Sequence, residues 1–323
     1  MEKKQYWKLT SGEMKDNYLT DADIWKSIHY FFYHSKNSTT YKFGFFKALL
    51  ENLSETNEDM EISFEDLFKS FTKIYWNLVV HHQLWQANTQ TKKSKVQAVI
   101  EDFQTKYSIP TEWNFDKIAL PQQSQLIKHV KTNGKRNVIG ATYGDFNEEI
   151  YTFDLKNESI KLNSAYYEFL QKYKRILTDV NNYQLSLFLE KFNEAEKLNK
   201  LLSKVEFVTQ RQSLKEFELL LKNAGFDTCF YCKKSVKKGS QVDHFIPWSY
   251  IQNDHLWNFV LACPSCNAKK SNKLASENYM NQLIERNKML VHETSYHGYF
   301  THYSEDKLRS YYHYSQENGF RRV

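Results

Sequence analysis

The stretch CFYCKKSVKKGSQVDHFIPWSYIQNDHLWNFVLACPSCNAKK, from Cys229 to Lys270, decides the fold of the C-terminal part of the chain. A Cys-x-x-Cys pair lies near each end of it, and these pairs contain every cysteine of the protein. Two such pairs can close one tetrahedral zinc site. The predicted zinc ligands are Cys229, Cys232, Cys263 and Cys266. Because sulfur then fills all four positions, no metal-bound water is left for chemistry, and the zinc is predicted to be structural.

The segment between the cysteine pairs carries candidate catalytic side chains. Asp243 offers a hard carboxylate oxygen to Mg²⁺ or Mn²⁺, and His244 can take a proton from water near neutral pH. Two neighbouring side chains diverge on a strand, so we expect the strand to bend or end here, as Pro247 also indicates. Asn258 can fix the imidazole or hold the loop, and Asn267 can be a second oxygen ligand. A base and a hard cation together suit phosphodiester hydrolysis.

Basic residues are concentrated in the same segment. Residues 227–275 contain seven Lys and three Asp, which accounts for +4 of the formal net charge of +6. A compact basic module indicates a polyanion partner, although a solvated lysine surface is the alternative. Lys269, Lys270 and Lys273 follow the last cysteine, at the start of a predicted helix, where they and the helix N–H groups would favour a phosphate. His255 falls outside this pattern and is predicted to be a surface loop residue.

The run VDHFIPWS, followed by NFVLACPSCNAKK, resembles the HNH (His-Asn-His) endonuclease family in its zinc-stapled branch. Asn258 lies 14 residues after His244, and Asn267 lies 23 residues after it. This spacing is similar to that of the HNH nuclease domain of CRISPR RNA-guided effectors. The resemblance covers roughly residues 227–277.

The resemblance implies a ββα-metal fold, one catalytic divalent ion, and products with a 5′-phosphate and a 3′-hydroxyl. It implies that His244 is the general base, that Asp243 and Asn267 are ligands of the catalytic metal, and that Asn258 orients the site. Asn267 stands where the family signature has its third His, a departure that other members share. An amide oxygen is a hard ligand, which favours Mg²⁺ or Mn²⁺ as the catalytic ion.

The rest of the chain predicts a mainly helical protein. Only 9 Gly and 4 Pro occur among 323 residues, which indicates few tight turns. The fold class is therefore predicted to be mainly α, with a small C-terminal ββα-metal (HNH) zinc-containing α+β domain. The sequence contains no apolar run long enough for a membrane span, and its start leads into no apolar leader segment. We expect a cytoplasmic, soluble protein with no membrane partner.

Hydrophobic periodicity and turn residues predict the order of elements. Helices are expected at residues 21–34, 40–53, 64–79, 94–106, 164–177 and 183–203. A small hairpin is expected around residues 149–153, and Ser213–Glu216 reads as a capping box for a helix that ends at Gly225. We divide the chain into a mostly helical N-terminal region for targeting, dimerisation or partner binding, connecting helices, the HNH domain, and a helical and aromatic tail. Their ranges are 1–180, 181–226, 227–277 and 278–323.

Two functional hypotheses follow from the sequence. The first is a metal-dependent DNA endonuclease acting in restriction or phage defence, with the N-terminal region choosing where or when it cuts. DNA is favoured over RNA, and either a homodimer or a defence-system protein is a candidate partner. The alternative is a zinc-stapled nucleic-acid-binding subunit whose nuclease is active only within a partner complex, on modified DNA, or on RNA.

Overall fold

The computed structural model describes residues 5–206, 213–237 and 239–323. The chain divides into two compact units. The first consists of residues 1–170 and 176–210, and the second of residues 171–175 and 211–323. The described residues are mainly helical, so the predicted fold class is confirmed. The second unit contains both the cysteine-rich segment and the C-terminal tail.

The first unit is a group of helices beside a small sheet. The bounds of its helices are α1 Asp21–Tyr33, α2 Tyr41–Glu51, α3 Phe64–Trp76, α4 Lys95–Lys106, α5 Leu120–Asp145, α6 Ser164–Lys172, α7 Lys174–Phe192 and α8 Leu201–Glu206. The last two residues of α6 and the first two of α7 are assigned to the second unit. The bounds of its strands are β1 Ser11–Gly12, β2 Glu61–Ser63, β3 Tyr151–Asp154 and β4 Ser159–Leu162. The strands pair antiparallel in the order β1-β3-β4-β2.

The predicted helices α1 to α4 are confirmed, and α1 and α3 begin with side-chain caps. Thr20 and Asp23 form a capping box at α1, and the Ser63 side chain accepts a hydrogen bond from the backbone N–H of Asp66 in the first turn of α3. Leu67 and Phe71 lie on the fully buried face of α3. The predicted hairpin is also present, as β3 and β4. The predicted break between residues 177 and 183 is wrong, because α7 runs through it.

The second unit contains the ββα arrangement. Its elements are α9 Lys215–Asn223, β5 Gln241–His244, α10 Trp248–Ile251, β6 Phe259–Ala262, α11 Pro264–Lys270, α12 Met280–Val291 and α13 Glu305–Glu317. Strands β5 and β6 pair antiparallel, with His244 opposite Phe259. The predicted capping box at Ser213 is wrong. Leu214 occupies the N-cap position of α9, and no side chain among the described residues caps this end of the helix. The predicted stop at Gly225 is confirmed by its left-handed backbone, with φ of +84°.

The C-terminal tail packs into the core of the second unit. Tyr311, Tyr312 and Phe320 are buried in the same hydrophobic cluster as β6. The Tyr312 hydroxyl donates to the Ala275 carbonyl at 2.6 Å, and the backbone N–H of Leu274 donates to the carbonyl of Arg321 at 2.9 Å. The tail therefore supports the segment that follows α11.

No helix within the three described ranges is both long enough and apolar enough to cross a membrane.

Candidate active site

The four cysteines converge on one point. Their Sγ atoms all lie within 4.8 Å of one another, and the Sγ atoms of Cys232 and Cys263 are 3.8 Å apart. A tetrahedral ZnS₄ centre with Zn–S bonds of about 2.3 Å has S–S edges of about 3.8 Å. The donor set and its spacing therefore fit a zinc ion. Across the described ranges, no second group of three or more Cys, His, Asp or Glu side chains is placed to hold a metal.

Backbone hydrogen bonds hold each cysteine pair in place. Lys233 adopts a left-handed conformation, with φ of +63°, and its N–H donates to the carbonyl of Cys229 at 2.9 Å. The N–H of Phe230 donates to Leu261 in β6 at 2.8 Å, which attaches the first pair to the sheet. Cys263 caps α11 by accepting from the N–H of Cys266. Both pairs are thus attached to the ββα elements.

Cys229 is the buried member of the cluster. Burial would raise the pKa of its thiol, but backbone N–H groups from both cysteine pairs donate to the sulfur and bring the pKa down to about 7. A thiol with a lowered pKa is more readily converted into the thiolate that zinc requires.

The carboxylate of Asp243 lies in the middle of the ββα unit and is 5% exposed. Its Oδ1 accepts from Lys270 Nζ at 3.2 Å, and its Oδ2 accepts from the Tyr231 hydroxyl at 2.5 Å. Burial raises the pKa of Asp243 above its ordinary value, against the opposing effects of the Lys270 ammonium and the Tyr231 hydroxyl. The same burial lowers the pKa of Lys270. Each charge therefore offsets the cost of burying the other.

Lys270 does not lie where the sequence suggested. The sequence predicts that it contacts phosphate, together with Lys269 and Lys273. Its side chain is buried, and Nζ also donates to the backbone carbonyl of His244 at 2.6 Å. Lys269 and Lys273 are exposed and remain candidates for phosphate contact. Lys270 instead attaches α11 to the end of β5.

His244 is the last residue of β5, so the predicted strand end is confirmed. Its imidazole packs edge-to-face on Phe259 of β6, with the ring centres 4.6 Å apart. Its Nε2 lies 3.0 Å from Oδ1 of Asp254, in the loop between α10 and β6. The ring is therefore held from two sides.

Asn258 holds the loop, and its side chain hydrogen-bonds Ile246 and not the imidazole of His244 among the described residues. Its Oδ1 accepts from the N–H of Ile246 at 2.8 Å, and its Nδ2 donates to the carbonyl of the same residue at 2.9 Å. The carbonyl of Asn258 also accepts from the N–H of Phe245 at 2.8 Å. The side chain is fully buried. Asn258 thus fixes the backbone that follows Asp243 and His244.

Asn267 lies on the face of α11 that packs against β5. Its Nδ2 donates to Oε1 of Gln241 at 2.7 Å, while Lys270, three residues later on the same helix face, binds Asp243. Gln241 and Asp243 share one face of β5, because they are two residues apart. Asn267 and Asp243 therefore lie on the same side of the strand. Oδ1 of Asn267 accepts no hydrogen bond from the described residues.

The fit of a hard divalent ion to this site follows from the donor set. One carboxylate and one amide oxygen are hard oxygen donors of the kind that Mg²⁺ and Mn²⁺ bind, and Mg²⁺ keeps several waters of its own. The Oδ1 of Asn267 is unengaged, whereas both oxygens of Asp243 are hydrogen-bonded. The residues present fit such an ion, provided that the Asp243 carboxylate exchanges one of its hydrogen bonds for the metal.

Reasoning from sequence missed three features of this site. No role was predicted for Tyr231, which contacts Asp243, or for Asp254, which contacts His244. His255 was predicted to lie on the surface, but it is half-buried and stacks on Trp257, with ring centres 4.6 Å apart. Burial and the neighbouring Lys307 lower the pKa of His255 to about 3. No motif spacing indicates these contacts, because they form between loops that come together only in the folded unit.

Residues 229–276 match the family model described as HNH endonuclease. The match covers both cysteine pairs, both strands of the ββα unit and α11. The resemblance to a zinc-stapled HNH endonuclease is therefore confirmed for this segment. Searches against curated proteins and against solved structures give no significant match.

Proposed function

We propose that this protein is a metal-dependent endonuclease that hydrolyses phosphodiester bonds in DNA. The observation that carries the proposal is the HNH match on a ββα unit whose β5 and α11 bring Asp243, His244 and Asn267 into one small module. The zinc site supports the proposal because it fixes this module while leaving those side chains outside the cysteine cluster.

Each side chain has a separate part in the proposed reaction. His244 accepts the proton of the attacking water, since an imidazole is a base near neutral pH. A hard divalent ion held by Asp243 and Asn267 would neutralise the charge that develops on the phosphoryl oxygens. The exposed ammonium groups of Lys269 and Lys273 contact neighbouring phosphates of the strand. Lys270 holds the Asp243 carboxylate in position.

The substrate and the biological setting are part of the same proposal. An HNH unit acts on nucleic acid, and the basic module around it suits a polyanion. We place DNA before RNA as the substrate, and restriction or phage defence as the setting. A separate helical unit is present in the same chain, as a targeting, dimerisation or partner-binding region would require.

A second candidate function is a nuclease that a partner, or modified DNA, activates. The engaged Asp243 carboxylate favours it, because both of its oxygens are bonded to Lys270 and Tyr231. A contact that moved α11 or the first cysteine pair would change these bonds. The two functions differ in whether the purified chain cleaves DNA by itself.

Incubation of supercoiled plasmid with the purified chain tests the proposal. We expect nicking or linearisation in Mg²⁺ or Mn²⁺, and none in EDTA, because the hard-ion site is needed for charge neutralisation. Agarose gels would measure the products, and labelled single-stranded DNA and RNA run in parallel would identify the preferred nucleic acid. Cleavage in EDTA would contradict the metal-dependent mechanism. No cleavage by a folded, zinc-loaded protein would favour the partner-activated function.

Removal of the proposed amide ligand is expected to weaken the dependence of cleavage on metal. Asn267→Ala should raise the Mg²⁺ concentration for half-maximal cleavage by about 10-fold or more, in line with the effect of disturbing a metal site. Asn267 makes one side-chain hydrogen bond, to Gln241, so the fold should change little. Asn272→Ala is the matched control, since Asn272 is exposed and hydrogen-bonded to Ser249. An unaltered Mg²⁺ titration of Asn267→Ala would remove this residue from the ligand set.

A further inference from the structure

We infer that Asp254 is a positioning residue for His244, and that it selects the imidazole nitrogen that serves as the base. This inference rests on the proposed function. Oδ1 of Asp254 lies 3.0 Å from Nε2 of His244, and the two side chains are 25% and 9% exposed. Nothing in the HNH signature residues accounts for this contact, because Asp254 lies in a loop between two elements of the unit.

The chemistry of the pair determines the tautomer. An ionised carboxylate has only acceptor sites, so the nitrogen facing it must carry hydrogen. Nε2 of His244 therefore donates to Asp254, and Nδ1 of the neutral ring keeps its lone pair. Nδ1 has no hydrogen-bond partner among the described residues, so it is the nitrogen available to water. A partner on the far nitrogen commonly fixes the working tautomer of a histidine.

The surroundings restrict the ring to this orientation. Phe259 packs edge-to-face against it, with an interplanar angle of 78°, and Phe259 itself lies against Phe217. The backbone carbonyl of His244 accepts from Lys270. A 180° flip of the ring about its Cβ–Cγ bond would put Cε1 where Nε2 lies, and the hydrogen bond to Asp254 would be lost.

The loop is built so that Asp254 reaches the histidine. Gln252 ends α10 in a left-handed conformation, with φ of +65°, and its N–H donates to Trp248. The chain then turns back, and Asn258 hydrogen-bonds both polar backbone groups of Ile246. Both ends of the short loop are thus fixed. Asp254 is held at a defined distance from the end of β5.

Asp254→Ala separates positioning from a purely structural role. We expect kcat for DNA cleavage to fall about 10- to 100-fold, the usual effect of losing a residue that orients an active-site group, with KM little changed. Asp254 is partly exposed, so zinc content and thermal melting should stay near those of the wild type. Asp306→Ala, which removes an exposed carboxylate in the same unit, is the matched control and should keep the wild-type kcat.

The second readout needs no substrate. Long-range ¹H–¹⁵N spectra of ¹⁵N-histidine-labelled protein, at a pH where imidazoles are neutral, identify the tautomer, and His244→Gln assigns the signal. We expect the Nε2–H form in the wild type and a mixture of tautomers in Asp254→Ala. An unchanged tautomer or an unchanged kcat in that variant would overturn the inference alone. If the wild type is inactive but keeps the Nε2–H form, the proposed function is overturned. The contact between Asp254 and His244 would then have no role in catalysis.

Discussion

Replacing His244 by alanine is expected to lower the rate of DNA cleavage by about 10²- to 10⁴-fold, the range for loss of a general base. The reason is chemical, because the proposed reaction assigns the proton of the attacking water to this imidazole. The ring contacts Phe259 and Asp254, so its removal also costs some packing. Initial rates on supercoiled plasmid, measured at saturating Mg²⁺, would give the effect on the chemical step.

Two measurements separate lost chemistry from lost structure in this variant. Zinc content and thermal melting should remain close to the wild type, because the cysteine cluster does not use His244. His313→Ala is the matched control, since His313 is an exposed histidine of the same unit that contacts Glu317 and Tyr314, away from the site. Cleavage by His244→Ala at the control rate would refute the assigned mechanism.

Loss of a single cysteine is expected to release the zinc and to destabilise the second unit strongly. Structural zinc sites contribute much of the folding free energy of small domains, so removing one ligand should lower the free energy of unfolding by more than about 3 kcal/mol, or the Tm by roughly 10 °C. Cys229→Ser and Cys232→Ser would be compared by zinc stoichiometry and by calorimetry. Both variants should bind less zinc than the wild type.

The comparison of these two cysteines distinguishes metal binding from thiol burial. Cys229 is buried and Cys232 is exposed, yet a zinc ion would depend on both. If the thiols were only packed in the core, Cys232→Ser would behave like the wild type and Cys229→Ser alone would be destabilised. Full zinc content in Cys232→Ser would rule out the structural-zinc prediction.

The ββα fold was implied by the resemblance to the HNH family, whereas the zinc site was predicted from the spacing of its cysteines. Four sulfurs around one ion require two tight turns, and each turn shows as Cys-x-x-Cys. The end of β5 at His244 also followed from a local rule, the opposite directions of adjacent side chains on a strand. These features depend on residues close together in the chain.

The position of Lys270 could not be predicted in the same way. A lysine beside another lysine is usually a solvated side chain, and Lys269 is indeed exposed. Lys270 is buried because α11 turns it towards Asp243, which is 27 residues earlier in the chain. The same limit applies to Asp254, whose partner His244 is reached only through the fold of a loop. The pattern of charges along the chain shows which residues are basic. Whether a given lysine is buried depends on which face of its helix packs against the rest of the unit.

The N-terminal unit shows a different limit. Helix α5 contains Gly134, Gly140 and Gly144, residues that normally weaken a helix, and the sequence did not predict it. A Cβ atom at Gly140 or Gly144 would collide with Tyr6, so these glycines let the N-terminal segment lie directly on the helix. Strands of two and three residues, such as β1 and β2, are also too short to give an alternating pattern.

The paired bonds of Asn258 make the ββα unit sensitive to one covalent change. Its amide gives a hydrogen to the Ile246 carbonyl and takes one from the Ile246 N–H, so both of its ends are in use. Aspartate has nearly the same shape but offers two acceptors, and one of them would face the carbonyl oxygen without a proton between them. Deamidation of Asn258 to aspartate would therefore replace the hydrogen bond to the Ile246 carbonyl by repulsion between two oxygen atoms. The link between the ends of the two strands therefore depends on a nitrogen at the Nδ2 position of Asn258. A side chain of the same volume without that donor would not replace it.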